Sequence, residues 1–212
     1  MDGPEIETLF TRSDGAYLFA RWGRPIVPVV FGVEDTTLAV VKGVVEAVVA
    51  LAGHQMAETD AELGANLMLF FLTDWAELRD VPRLGDMIPD LEALTYRLEA
   101  AGANQYRSFR FDAGGAIKAA FVFVRMDADL AEAPAEVLAL SQMVQVILLW
   151  SDQAFKTRAA LVTVGEAIAL RAEIAALIRA AYDPVMPRVA HDPSHALRLA
   201  ARMGLAGQGV NT

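Results

Sequence analysis

Two histidines four residues apart give this chain its one spacing that metal chemistry could use. His191 and His195 stand in His-Asp-Pro-Ser-His, and on one helix face such a pair can share a divalent cation. Pro193 lies between them, however. Proline suits the first position of a helix, and Asp192 before it is a good cap. His191 then falls outside the helix, so the pair reads first as a helix start and only weakly as a metal site. No metal ion or other cofactor is expected. The third histidine, His54, follows Gly53 at an expected helix end, where a cation suits the negative pole of the helix dipole. No partner for a nucleophilic triad accompanies it.

Two glutamines are the other candidates. From Val137 to Ser151 the chain runs VLALSQMVQVILLWS, with no charged residue and no histidine. A helix that is apolar nearly all round is a buried helix. Gln142 and Gln145 are its only strongly polar groups, three apart and near one another on its surface. An unpaired buried amide costs on the order of 1–3 kcal/mol, so each should find a partner: backbone of a neighbouring sheet, a small ligand in a cleft, or solvent. Asp152, just past the helix, is a turn residue or a carboxylate of that cleft. Tyr182-Asp183-Pro184 ends a later helix before a proline, ordinary stop chemistry, with a role in the cleft as its alternative. No phosphate loop of the GxxxxGK type and no GxSxG nucleophile elbow occurs.

The elements that must hold these groups follow from periodicity. Residues 1–20 read as an N-terminal arm, punctuated by Asp14-Gly15. Pro25 to Phe31 is a β-branched run whose two prolines argue for a sheet edge or a strand start. Thr36 and Thr37 open an apolar helix that stops at Gly53. Residues 65–73 (ANLMLFFLT) form a strand covered on both faces. A connection with a helical turn spans 75–90, and a helix follows to Ala101. Two β runs, 105–112 and 116–126, flank Gly114-Gly115 as a hairpin. Helices are expected at about 134–150, 164–181 and 193–203. The fold class is therefore α+β: a small mixed sheet with a hairpin, packed by helices, and then a helical C-terminal half. One domain covers 21–203, with a sheet half at 21–127 and a helical half at 128–203. Residues 204–212 read as a flexible tail.

Composition narrows the function classes. The chain has 212 residues, enough to bury a core without staples. With 27 acidic against 18 basic residues and a net charge of −9, it repels a phosphate backbone, so no nucleic-acid partner is expected. It has no cysteine, which removes disulfides, thiol nucleophiles and Cys-ligated metals. Hydrophobic content of 55% is high, and predicts an unusually full core or a patch for a second copy or another protein. The apolar runs Val40–Ala52 and Leu138–Trp150 are too short to span a membrane, which takes about 20 residues. The acidic opening, MDGPEIETLF, lacks the basic start and apolar stretch of a signal peptide. A cytoplasmic location is expected as written, or a periplasmic or secreted one had a leader been removed.

Four short segments carry a resemblance. Arg21-Trp22-Gly23-Arg24-Pro25-Ile26-Val27, Ala65-Asn66-Leu67, Ser141-Gln142 with Ser151-Asp152, and Ala181-Tyr182-Asp183-Pro184 are similar, in that order, to motifs of DUF2927, a bacterial family of unknown function. That family in turn resembles the zincin metallopeptidases, whose helix after a hairpin bears His-Glu-x-x-His. The resemblance implies a zincin-like topology with the metal helix at 134–150. Setting Gln142 on the family's glutamine puts Leu138, Ala139 and Gln142 at the first ligand, the base and the second ligand. None of these holds zinc or activates water. The expectation is a bacterial, non-catalytic zincin-like domain acting through protein or small-ligand contacts. The alternatives are a metal-dependent hydrolase with an unorthodox site and a small-molecule binding module.

Overall fold

The structure is a computed structural model that describes residues 1–208. It opens on helix α1 (Gly3–Phe10), started by reciprocal bonds between Asp2 and Glu5. Ile6 and Phe10 recur four residues apart, and both are fully buried in the main core. Residues read from sequence as an arm therefore form a packed helix, because the Asp-x-x-Glu box and that spacing outweigh the turn signal at Asp14-Gly15. Strand β1 (Phe19–Ala20) follows.

Strand β2 (Pro28–Phe31), helix α2 (Asp35–Leu51) and strand β3 (Leu67–Leu72) make a β-α-β unit with its strands parallel. A 3-10 helix at Trp75–Asp80 leads to α3 (Leu84–Met87) and α4 (Leu91–Ala100), and Gly102 stops α4 at φ +60°. Then β4 (Gln105–Phe111) and β5 (Ile117–Arg125) form the antiparallel hairpin. The four long strands lie in the order β2-β3-β5-β4, with β5 parallel to β3 and β4 on the outer edge. The proline-bearing β2 is the opposite edge, where a missing N–H does no harm.

Alternation along the central strands sorts two cores. Leu67, Leu69 and Phe71 of β3 join Ala120, Val122 and Val124 of β5 in one cluster with α2. Met68, Phe70 and Leu72 join Phe121 and Phe123 in the other, under α4. Helix α5 (Ala128–Ala131) precedes α6 (Ala135–Ile147), which packs beside α2 on the first face.

The C-terminal half is not all helical. Strands β6 (Leu161–Val164) and β7 (Ala167–Leu170) form a hairpin turned by Gly165 at φ +63°, so α7 (Ala172–Ala181) starts eight residues after the helix expected from 164. Alanine at alternate positions of Ala167-Ile168-Ala169-Leu170 suits either state, and the Gly165 turn decides for the strand. Strand β8 (Val189–Ala190) pairs with β1. Helix α8 (Ser194–Gln208) runs through residues 204–208, which the sequence reading gave to the tail; residues 209–212 of that tail lie outside the described residues. The fold is mixed α+β, and no helix among the described residues is long and apolar enough to cross a membrane.

Candidate functional site

Helix α6 is where sequence placed the centre of the molecule, and its polar groups meet the edge strand β4. Gln142 is fully buried. Its Oε1 accepts from Arg107 Nη2 at 2.8 Å, and its Nε2 donates to Gln105 Oε1 at 2.9 Å. Arg107 Nη2 also donates to Gln105 Oε1 at 2.7 Å, closing a triangle of two amides and one guanidinium. Gln105 and Arg107 are two apart on β4, so both face α6.

No ion pair joins Arg107 to a carboxylate among the described residues, and its Nε is buried without a partner. Burial pushes its pKa down to about 10, which leaves it a cation at neutral pH. A buried charge without a counter-ion costs several kcal/mol unless strong dipoles replace water, and here two amide oxygens stand in. Sequence reading found Gln142 but not Arg107. Its signal was a charged residue on the inward-facing set of an alternating strand, and QYRSFRF offers arginines to both faces.

The C-terminal end of α6 has a different construction. The last carbonyls of a helix need outside donors, and three aromatic rings supply them. Trp150 Nε1 donates to Val144 O at 2.7 Å, Trp22 Nε1 to Val146 O at 2.8 Å, and Tyr182 Oη to Ile147 O at 2.8 Å. The Tyr182 hydroxyl also accepts from the Trp22 N–H at 3.4 Å. Burial drives the Tyr182 phenol well above its ordinary value, so it acts here as a neutral peg.

The remaining candidates are not brought together. Gln145 is half-buried and, among the described residues, bonds only to Ser141 Oγ, at 3.5 Å. Asp152 Oδ1 accepts the Ser13 N–H at 2.9 Å, and that bond pulls its pKa down to about 2; it ties down the loop after α1. Asp183 accepts the Val185 N–H and pairs with Arg202 at 3.5 Å, joining α7 to α8. No hydrogen bond or ion pair among the described residues links Asp152, Tyr182 or Asp183 to Gln142.

His191 is exposed, whereas His195 is fully buried, with Nδ1 2.9 Å from the Tyr17 hydroxyl and Nε2 enclosed without a partner. The Asp192 side chain accepts from the Ser194 N–H at 2.8 Å, as a cap would. Among the described residues, no group of three or more His, Asp or Glu side chains is placed to hold a metal.

Leu138 and Ala139, aligned by resemblance with the first ligand and the base, are buried apolar side chains. With Gln142 already engaged by a cation, these residues do not fit a divalent metal ion. A cavity of about 370 Å³ does open at the start of α6, at the carboxyl ends of β2, β3 and β5. Leu138, Val41, Phe71 and Met126 line it, with Glu34 and Thr37 as its polar side chains, so it lies apart from the Gln142 triangle. Comparison of the chain with protein-family models, curated proteins and solved structures finds no match in any of the three.

Proposed function

We propose that this chain is a non-catalytic, zincin-like domain that works through contacts with another protein. The placement of α6 directly after the β4–β5 hairpin and α5 supports the zincin-like reading, since the resemblance requires a helix there. The observation that carries the non-catalytic part is the bond from Arg107 to Gln142. The helix position assigned to a metal ligand holds an amide, and that amide is occupied by a fixed positive charge. A second cation placed beside it would be repelled by about 4 kcal/mol at 4 Å in a partly screened site. The hydrolase alternative loses its residues, because His195 is sealed against Tyr17 and His191 lies at the surface.

Zinc tests this reading. Protein equilibrated with excess zinc sulfate and then desalted should carry no stoichiometric zinc by elemental analysis, and its melting temperature should not rise with zinc. One retained equivalent per chain, lost on mutating Gln142 or His195, would overturn the proposal.

A further inference from the structure

The outer edge of the sheet offers main-chain groups that, with one exception, nothing among the described residues takes up. Arg125 N–H donates to Asn104 O at 2.8 Å, and antiparallel pairing alternates from there. Tyr106, Ser108 and Arg110 therefore bond to β5, while the N–H and C=O of Gln105, Arg107 and Phe109 point away from the sheet. Of these, only the Phe109 carbonyl has a partner among the described residues, the guanidinium of Arg110. Besides β5, no element among the described residues lies along β4 to a comparable extent. Exposed edges of this kind are templates for another strand, and proteins usually blunt them with charge, proline or a cover. Gln105 to Arg110 contains no proline; Arg107 is drawn to Gln142, and Arg110, which also bonds to Met87 O, covers only the Phe109 carbonyl.

The side of this edge that faces α6 carries a pattern. Gln105, Arg107 and Phe109 follow one another there at every second residue, with the Phe111 ring 6.4 Å from that of Phe109. Phe111 is 41% exposed, and Phe109 is partly buried. Arg107 has no carboxylate, its Nε is unpartnered, and its Nη1 makes no hydrogen bond among the described residues. The chain thus sets one guanidinium, held by amide oxygens and without a carboxylate, beside an apolar shelf at an open main-chain edge.

We propose that β4 is a docking edge for an extended segment of another protein. That segment pairs along Gln105–Phe109 and sets a carboxylate against Arg107, with aliphatic side chains over Phe109 and Phe111. Strand addition supplies the affinity and the alternate side chains supply the choice of partner. A carboxylate satisfies the free Nη1 of this guanidinium better than any neutral group, while Nε stays buried. A second copy fits poorly: a twofold centred on Arg107 would oppose two guanidiniums across adjoining strands, where like charges repel. The proposal rests on the non-catalytic reading, since it needs Arg107 and not a metal ion beside α6.

The probe is a capped, fluorescein-labelled heptapeptide with glutamate at its centre, valine two positions to either side and threonine at the remaining places. Glutamine and lysine versions serve as controls, and binding to the full chain is read by anisotropy in zinc-free buffer. The glutamate peptide should bind at least tenfold more tightly than the glutamine one, and the lysine peptide should not bind. Amide exchange of Gln105, Arg107 and Phe109 should slow on binding. In Arg107→Gln, checked for native circular dichroism, the preference for glutamate over glutamine should vanish while weak main-chain binding stays. Should that variant unfold, a peptide N-methylated at its pairing amides must fail on the native protein. Equal binding of glutamate and glutamine peptides, no binding of any, or unchanged exchange along β4 each overturns the proposal. Zinc analysis of the same samples separates the two readings: zinc loading refutes the non-catalytic one, and a missing glutamate preference in zinc-free protein refutes this one.

Discussion

The hydroxyl of Tyr182 joins two main-chain groups beside the Arg21–Leu148 bridge, donating to Ile147 O and accepting from the Trp22 N–H. Removing it takes a hydrogen bond from each in a buried environment. Tyr182→Phe should therefore fold but lose roughly 1–3 kcal/mol in urea denaturation; a variant as stable as the parent would show that water reaches the end of α6. The same logic explains the scattered sequence motifs. Trp22 and Tyr182 lie 160 residues apart and perform one task on one helix end. Asn66 does comparable work at β3, accepting the Val27 N–H at 2.8 Å and donating to Pro25 O and to Asp60. Each of these side chains closes hydrogen bonds of main-chain groups that lie far from it in sequence.

At the scale of elements, the turn out of β2 lies hard against β3. Gly32 lies at φ +79°, and a Cβ built there would sit 1.8 Å from the Phe71 carbonyl oxygen of β3. Only a backbone shift of both strands could admit a side chain. Gly32→Ala should cost about 2 kcal/mol or more, from strain at a left-handed position together with the clash. Gly43, in the middle of α2, has ordinary helical geometry and open space around its missing Cβ. Gly43→Ala should instead stabilise by about 0.8–1 kcal/mol through helix propensity. Opposite signs in paired thermal melts check this, and two equal shifts would contradict the close approach of Gly32 to Phe71. Gly32 also lines the 370 Å³ cavity at the strand ends, so this turn helps to shape that opening.

For the whole molecule, the buried His195 couples the N-terminal segment to α8 and makes the fold sensitive to acid. Burial, helped by Arg198, lowers its pKa to about 4, and its ring packs on Phe19 at 4.3 Å between centroids. The unfolded chain binds a proton near pH 6.5, whereas the folded one resists until about 4. Stability is therefore full above the unfolded value and falls as pH drops from about 6.5 to about 4, by on the order of 2–3 kcal/mol. His54, lowered in the same direction by its own burial, adds to the slope. His195→Gln keeps a partner for Tyr17 and does not titrate. Urea midpoints at pH 7.5 and pH 4.5 should differ much less in this variant than in the parent. An unchanged difference would place the acid sensitivity elsewhere.

The sequence by itself determined the local pieces: the β-α-β order, the covered strand read at 65–73 and formed at 67–72, the hairpin, and an apolar helix after it. Each is written in short-range periodicity and in stop residues such as Gly53 and Gly102, so no distant contact is needed to read it. Two local signals were outweighed in that reading, the capped helix of residues 3–10 and the β6–β7 hairpin among alanines, because turn and propensity signals compete there. Only the tertiary structure decided what the polar groups do. Arg107 and Gln142 are 35 residues apart, and nothing in either segment announces the other. The cost of burying an unpaired charge or amide is settled by the three-dimensional neighbourhood, so the pairing that answers it becomes visible only once β4 lies against α6.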